Sequence, residues 1–282
     1  MRPTSLAVIG LGAIGGSLAW QSRQAGVARV VGYSSSRRDG VQALQAGAIT
    51  ELADSAGQAA RGAELVVLAV PPRPTLELIG ELADRIDAGA FLTDVCSVKV
   101  EIMRRALEAG LGDRFAGGHP LAGTHESGFQ SARPDRLRGC VVYICESRSP
   151  DGYRAAQAIS SFWQHTLGAS PIRIDSAAHD RQLAWTSHLP QATATALAKS
   201  LLDRGLAGVS FGTGARDTTR LAASNTAMWS EIFLLNRGPI GEALDQLARN
   251  IEELRELLLR GDPKGLAAYL TAARAFREGL ER

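Results

Sequence analysis

A histidine lies in an unusual setting within residues 117–124, which read Gly-Gly-His-Pro-Leu-Ala-Gly-Thr. Glycines and a proline flank His119, and a short apolar stretch precedes it, so core packing explains this histidine poorly. Imidazole is the side chain whose ordinary pKa suits proton transfer near neutral pH. Beside a nucleotide cofactor, His119 can take a proton from a substrate hydroxyl while a hydride leaves the same carbon. We therefore regard His119 as the candidate base.

A glycine-rich turn near the start of the chain has the GxGxxG pattern. It follows the apolar stretch 6–9 and opens a helix expected over 14–24. The first glycine makes the tight turn, the second admits a pyrophosphate, and the third allows close packing of helix on strand. The residues expected to bind the dinucleotide here are Gly10, Gly12, Ala13, Ile14 and Gly15. The alternative is a glycine-rich turn without a ligand.

The segment after the second predicted strand bears on the choice of cofactor. NAD sites usually offer an acidic residue here to bind the ribose 2′-hydroxyl. This chain instead has hydroxyl groups followed by two arginines, which suit a 2′-phosphate, and so NADP is favoured with NAD as the alternative. The residues expected at this end of the cofactor, together with one at the end of the strand 65–70, are Ser34, Ser35, Ser36, Arg37 and Val70. The arginines can also be solvated loop charges.

Residues 93–99 read Thr-Asp-Val-Cys-Ser-Val-Lys and join a strand to a helix. Because ligands of open α/β sheets bind at the carboxyl ends of the strands, Ser97 is expected near the cofactor. Its hydroxyl can bond to His119 or to the substrate, or it can cap the helix that follows. Cys96 is expected to be packed, and Lys99 is expected to be exposed in the first helical turn.

Two arginines separated by an acid follow a glycine pair in the second half of the chain. Arg216, Asp217 and Arg220 offer a site for an anionic substrate group, and Trp229 follows in a helix-like segment. The alternative is a charged surface loop. His188 lies in another helix-like stretch and is either a core histidine or a site residue.

The elements that must position these groups change character along the chain. Apolar strands alternate with helices in the first part, which predicts an α/β domain with a parallel sheet covered on both faces. Its expected strands are 6–9, 30–33, 65–70, 91–95 and 141–144. We expect this dinucleotide-binding domain to span residues 1–174.

Long segments rich in alanine and leucine follow, which predicts an all-helical substrate and dimerisation domain over residues 175–282. Its expected helices are 181–202, 226–236 and 241–260. Apolar residues in the last of them follow a 3-4-3-4 spacing on one face, here termed the seam: Leu244, Leu247, Ile251, Leu254 and Leu258. The seam favours a homodimer, with packing inside one chain as the alternative.

Composition excludes several classes of protein. The 282 residues carry a net charge of +2, are 45% hydrophobic and 21% charged, and contain three cysteines without metal-type spacing. We expect no nucleic-acid partner, no metal and no membrane association. The odd number of cysteines and the start of the chain, which lacks the pattern of a signal peptide, predict a cytoplasmic protein.

Taken together, these segments resemble the prephenate/arogenate dehydrogenase family of tyrosine biosynthesis. The resemblance covers nearly the whole chain, and the His-Pro-Leu-Ala-Gly-Thr and Ser-His-Leu-Pro motifs are its most specific parts. The matching segments are 10–16, 93–99, 118–124, 179–180, 187–190 and 216–222.

The resemblance implies a Rossmann domain followed by a helical dimerisation domain, and oxidative decarboxylation of arogenate or prephenate with hydride transfer to NADP or NAD. It implies that His119 bonds the ring hydroxyl with support from Ser97, and that Arg220 binds a substrate carboxylate. The residues expected around the substrate are Arg220, Gln191, His188, Asp217, Trp229 and Thr124.

Two positions depart from the family pattern. Gln191 stands where many members that bind prephenate have a histidine, which leaves room for arogenate, and His125 stands where an acid is common. Two other functions stay open on the residues alone. One is a β-hydroxyacid-type dehydrogenase, which would use a lysine of the helical half such as Lys199, the only lysine between Asp175 and Lys264. The other is a dinucleotide sensor without catalysis.

Overall fold

The computed structural model describes residues 2–123, 127–147, 149, 151–206 and 208–280. An eight-stranded sheet organises the first domain, with the spatial order β3-β2-β1-β4-β5-β6-β7-β8. Its strands are β1 (Ser5–Ile9), β2 (Arg29–Tyr33), β3 (Glu51–Leu52), β4 (Leu65–Leu68), β5 (Phe91–Asp94), β6 (Phe115–Pro120), β7 (Val141–Glu146) and β8 (Ser170–Arg173).

Strands β1 to β6 run parallel, as the sequence predicts for a dinucleotide-binding domain. Strand β7 is antiparallel to β6, and β8 runs parallel to β7. The expectation that residues 141–144 extend a parallel sheet is therefore wrong. Between β6 and β7 the described residues contain no α-helix, only a 3-10 turn at Phe129–Ser131. Without a crossover helix, the chain returns along β6 in the opposite direction.

Helices cover both faces of this sheet. They are α1 (Ala13–Gln24), α2 (Arg37–Gln45), α3 (Ala56–Ala60), α4 (Pro72–Leu82), α5 (Val100–Glu108) and α6 (Gly152–His165). Leu6 and Val8 of β1 belong to the apolar core on one face, whereas Ala7 and Ile9 belong to the core on the other. Burial on both faces is the reason why residues 6–9 of β1 and all of β4 are apolar.

The second domain is helical, as predicted. Its helices are α7 (Ser176–Leu183), α8 (Leu189–Asp203), α9 (Thr213–Thr219), α10 (Thr226–Leu235), α11 (Arg237–Arg260) and α12 (Pro263–Gly279). The helix expected over 181–202 is interrupted by a π-helical turn at Ala184–His188. Pro190 has no N–H to donate to the carbonyl of Thr186, which explains a wider turn at this point.

The seam of α11 is largely exposed in a single chain. Leu244, Ile251 and Leu258 are 38%, 57% and 60% exposed. Helix α12 has no buried residue. Among the described residues, no helix has the length and apolar character to cross a membrane.

Candidate active site

The site residues of the first domain gather at one edge of the sheet. Strands β1, β4, β5 and β6 are neighbours and run parallel, so their carboxyl ends meet there. Gly10 follows β1, Val70 follows β4, Ser97 follows β5, and His119 is the penultimate residue of β6. The order of the strands thus brings together residues that are far apart in the sequence.

The glycine turn after β1 is shaped for a dinucleotide. Gly10 has φ +99, and a Cβ there would lie 2.3 Å from the carbonyl oxygen of Ala69. A Cβ on Gly15 would lie 1.9 Å from the carbonyl oxygen of Gly10, so both positions require glycine. A Cβ on Gly12 would meet nothing within 4 Å. Gly12 is the N-cap of α1 without a side-chain cap, so the N–H groups of this first turn face open space that fits a pyrophosphate.

The turn after β2 is held by its own side chains. The Ser36 Oγ accepts the Asp39 N–H at 3.3 Å and caps α2, and the Ser36 N–H donates to the Ser34 Oγ at 3.2 Å. The Asp39 carboxylate accepts the Phe129 N–H at 3.1 Å. Asp39 is therefore engaged with the 3-10 turn that follows β6.

Two arginines beside this turn carry positive charge. Arg37 and Arg38 are exposed, and neither has an ion pair or hydrogen bond in the part of the chain that is described. Ser35 is exposed next to them. Val70 packs against the glycine turn, since its Cγ1 lies 2.8 Å from the position that a Cβ on Gly10 would take.

His119 is buried, 8% exposed, and it contacts the second domain. Its Nδ1 lies 2.8 Å from the Nε2 of His179, which belongs to α7. The Nδ1 of His179 lies 2.7 Å from the Oδ1 of Asp180. The ring of Tyr143 lies against both histidines, with centroids 6.5 Å and 5.6 Å away. A chain of His119, His179 and Asp180 therefore crosses the boundary between the two domains.

The surroundings of His119 keep its imidazole neutral. Burial lowers the pKa of His119 well below its ordinary value of 6.5, and the positive charges of His179, Lys99 and His188 would oppose its protonation further. A neutral imidazole can accept a proton at pH 7, which is what a general base requires.

Lys99 is fully buried, so the expectation of an exposed lysine in the first helical turn is wrong. Its ammonium group pairs with the carboxylate of Asp94, which is also fully buried. Burial is the largest single influence and lowers the pKa of Lys99, but the charge and hydrogen bond of Asp94, together with Cys96 and Cys145, outweigh it, and the pKa is raised. The carboxylate of Asp94 also accepts the N–H of Gly118 at 3.2 Å, so the pair supports the strand segment that carries His119.

Ser97 and Cys96 line the loop after β5. The N-cap of α5 is Lys99, so the alternative of Ser97 as a helix cap is wrong. Ser97 is half-buried, and within the described residues no hydrogen bond joins it to His119. Cys96 is packed as expected, and burial raises the pKa of its thiol to about 12, which makes it inert as a nucleophile.

His188 closes the π-helical turn and is fully buried. Asn236 donates one amide hydrogen to the carbonyl of Asp180 at 2.8 Å and the other to the Nδ1 of His188 at 3.0 Å. The Nε2 of His188 must then carry the hydrogen, and it has no partner among the described residues. Burial lowers the pKa of His188 to about 4. Trp229 lies edge-on to this ring, with centroids 5.9 Å apart.

Gln191 supports the turn that carries Arg220. It is buried, its Nε2 donates to the carbonyl of Leu221 at 2.7 Å, and its Oε1 accepts the Ser224 hydroxyl at 3.3 Å. Arg220 is exposed and has no ion pair or hydrogen bond within the described ranges. Asp217 is also exposed, and Thr124 lies outside the described residues.

Three residues of this site were given no role by sequence reasoning: His179, Asp180 and Asn236. The His-Asp pair belongs to a family motif, yet it lies 60 positions from His119, and no local pattern indicates that contact. Asn236 ends α10 without any local signal of its bonds.

Comparison with known proteins identifies the same family in both domains of the chain. Residues 18–171 match the family model of the prephenate dehydrogenase nucleotide-binding domain, and residues 175–272 match that of its dimerization domain. The prephenate dehydrogenase of Bacillus subtilis is 31% identical over 293 residues, covering 99% of this chain and 76% of that protein.

Solved structures of prephenate and arogenate dehydrogenases have the same fold as this chain. A prephenate dehydrogenase from A. aeolicus, in complex with hydroxyphenyl propionate and NAD+, has a TM-score of 0.88 at 27% identity and covers 98% of this chain and 97% of its own. The arogenate dehydrogenase of Synechocystis has a TM-score of 0.80 at 25% identity and covers 98% and 99% of the two chains. The chain is a dehydrogenase with a nicotinamide dinucleotide cofactor, and it belongs to the prephenate dehydrogenase family.

Proposed function

We propose that this chain catalyses the oxidative decarboxylation of a cyclohexadienol, arogenate or prephenate, with His119 as the general base. The observation that carries the proposal is a buried, neutral imidazole at the sheet edge that also carries the glycine cradle. Only one of its ring nitrogens is engaged by a described residue. The other nitrogen, Nε2, has no partner among the described residues and can meet a substrate hydroxyl.

In this reaction the Nε2 of His119 takes the proton of the ring hydroxyl. The glycine cradle would hold the dinucleotide, whose nicotinamide, when bound, would accept the hydride that leaves the same carbon. The ring carboxylate departs as carbon dioxide, and the electron pair of that carbon–carbon bond enters the ring, which becomes aromatic. The phenolate oxygen then takes back the proton held by His119. Ser97, at the end of β5, is proposed to orient the hydroxyl. The protein contributes orientation and electrostatics rather than a metal.

Substrate binding is assigned to the second domain. Arg220, exposed and without a described partner, is proposed to bind a substrate carboxylate together with Asp217. Thr124, which belongs to the first domain and lies outside the described residues, is proposed as a further substrate residue on the family resemblance alone. The unpaired Nε2–H of His188 is proposed to donate to the substrate beside Trp229. Arg220→Ala should mainly raise the KM for the substrate, whereas an unchanged KM would move this role to Arg216.

Arogenate is the proposed preferred substrate. Gln191 replaces a histidine that commonly accompanies prephenate binding, and its amide groups already bond Leu221 and Ser224. Gln191→His should shift the ratio of kcat/KM for prephenate over arogenate upwards by about 10-fold, since one hydrogen bond to a charged group contributes about 1.5–3 kcal/mol. An unchanged ratio would remove Gln191 from the specificity of the enzyme.

NADP is the proposed cofactor, because Arg37 is exposed, cationic and without a partner among the described residues, next to serine hydroxyls. Arg37→Gln should raise the KM for NADP by about 10-fold or more and leave the KM for NAD within about 2-fold. Arg38→Gln is the matched control at the next position. Equal effects of Arg37→Gln on both cofactors would contradict binding of a 2′-phosphate.

The proposed assembly is a homodimer formed through the helical domain, with the division between the domains at residues 174 and 175. The exposed seam supports it, since Ile251 and Leu258 are 57% and 60% exposed in a single chain.

The deciding experiment measures the formation of NADPH and NADH with arogenate and with prephenate, for the wild type and His119→Asn. Removal of the base should lower kcat by about 10²–10⁴-fold. His165→Asn is the matched control, because His165 is an exposed histidine at the end of α6. A His119→Asn variant within a few-fold of wild type would eliminate His119 as the base.

Two alternatives have less support. A β-hydroxyacid dehydrogenase needs a lysine at the site, but Lys199 pairs with Asp203 on an exposed face of α8, with Nζ to Oδ1 at 2.5 Å. A sensor would bind the dinucleotide without turnover, which the same assay detects.

A further inference from the structure

We propose that His179 and Asp180 are positioning residues that set the tautomer of His119, and that this setting depends on contact between the two domains. The inference rests on the proposed role of His119 as the base. His119 lies on β6 of the first domain, whereas His179 and Asp180 lie on α7 of the second.

The direction of each hydrogen bond follows from Asp180. Its Oδ1 accepts the Lys99 N–H at 2.8 Å, and its Oδ2 accepts the Val100 N–H at 2.9 Å, so the group is an ionised acceptor. The Nδ1 of His179, 2.7 Å from Oδ1, must then donate to it. These contacts leave His179 with one assigned proton, on Nδ1.

A neutral His179 has an acceptor at Nε2 once its Nδ1 carries the proton. The Nδ1 of His119, 2.8 Å away, must therefore donate its hydrogen to His179. The Nε2 of His119 is left with a free lone pair, which is the form that can accept a proton. The opposite tautomer would place a hydrogen on Nε2 and disable the base.

Neutrality of His179 is essential to this chain of bonds. A doubly protonated His179 would donate from Nε2, which would turn the Nδ1 of His119 into an acceptor. Burial lowers the pKa of His179, and the attraction of Asp180 only partly offsets it. The other ionisable groups near the pair are Lys99 with its partner Asp94, His188 and Tyr143.

Both domains hold the hydrogen-bonded chain from His119 through His179 to Asp180, here termed the relay. Asp180 takes its orientation from backbone N–H groups at the start of α5, in the first domain. Its own carbonyl accepts from Asn236, which also bonds His188. Separation of the domains would break the bonds of Asp180 to α5 and the bond of His179 to His119 together. The base is thus set only when the helical domain is docked.

The test compares His179→Gln with His179→Leu in the full-length enzyme. A glutamine amide oxygen can accept the Nδ1–H of His119, whereas leucine cannot. His179→Leu should lower kcat by about 10²-fold or more with the KM for the cofactor within a few-fold, and His179→Gln should recover most of the loss. If the role of His179 were merely structural, both variants would lower kcat and would also change the KM for the cofactor.

The tautomer itself gives a second readout. The chain has five histidines, so ¹⁵N NMR of histidine-labelled enzyme can resolve His119 with the help of His119→Asn. Wild type should show the proton of His119 on Nδ1, and His179→Leu should move it to Nε2 in part. A wild-type proton on Nε2 overturns the proposal even where His179→Leu fails to fold.

The two proposals fail in different ways. If His119→Asn retains activity, the assignment of the base falls. If His119→Asn is inactive while His179→Leu keeps the wild-type kcat, the base stands and the relay falls.

Discussion

The two domains bury their apolar residues differently. All four residues of β4 are fully buried between two layers of helices, whereas α12 has no buried residue and the seam of α11 is largely open. The first domain therefore completes its core within one chain. The second leaves apolar surface for a further partner, which agrees with the dimerization-domain family that it matches.

The proposed active site lies where these two kinds of structure meet. The sheet supplies the glycine cradle and His119, and the helical domain supplies His179, which contacts His119, and His188. The proposed positioning of His119 thus depends on the helical domain, which does not complete its apolar core within one chain.

The largest effect is expected in the core of the sheet. Leu65→Ala removes a fully buried side chain of β4 and should lower the free energy of unfolding by about 2–5 kcal/mol. Denaturant unfolding measures it, and the loss should not depend on protein concentration. The control is Leu107→Ala, at a residue 53% exposed on α5, with an expected change below about 0.5 kcal/mol. Similar losses would contradict a self-contained core.

The next effect concerns the seam. Ile251→Asp would place a carboxylate in the proposed interface, where burial without a partner costs several kcal/mol and should weaken association by at least about 100-fold. Sedimentation or light scattering should then give the mass of one chain. Leu107→Asp introduces the same charge at a similarly exposed residue of the first domain and should leave the mass unchanged. If both variants behave alike, the seam is not the interface.

Acid pH should act on the junction between the domains. The pKa values of His119, His179 and His188 are lowered, so the unfolded chain binds protons that the folded chain does not. Stability should be complete above pH about 6.5 and fall below it, by up to about 1.4 kcal/mol per pH unit for each histidine. Thermal melts from pH 7 to 4 measure the slope, and His188→Asn should reduce it. A flat curve would show that these histidines are not buried as neutral groups.

The smallest effect concerns a single bond between the domains. Glu231 of α10 accepts the N–H of Arg73, in the first turn of α4, at 2.9 Å. Glu231→Gln should lower stability by about 0.5–1 kcal/mol, because a carboxylate at a helix N-terminus is favoured. Glu81→Gln, which removes an exposed ion pair between the last turn of α4 and Arg85 beyond its end, should cost less. If Glu231→Gln and Glu81→Gln lower the Tm equally, Glu231 contributes no more to stability than an exposed ion pair does.

Local sequence patterns predicted those parts of the candidate site that consist of contiguous residues. The glycine turn is such a part, since strand, turn and helix are contiguous, and a Cβ at Gly10 or Gly15 would collide with nearby backbone. The edge strands β3 and β8 were not predicted, because they are short or exposed and lack an apolar run. The direction of β7 depends on a connection without a helix, which its own residues do not reveal.

The sequence by itself determined the domain order, the dinucleotide turn and the identity of the candidate base, because each is a property of contiguous residues. Only the tertiary structure decided which nitrogen of His119 is free and that Lys99 is buried against Asp94. The physical reason is that hydrogen-bond direction and burial depend on partners brought close by folding. His179 meets His119 only because α7 docks against the carboxyl edge of the sheet.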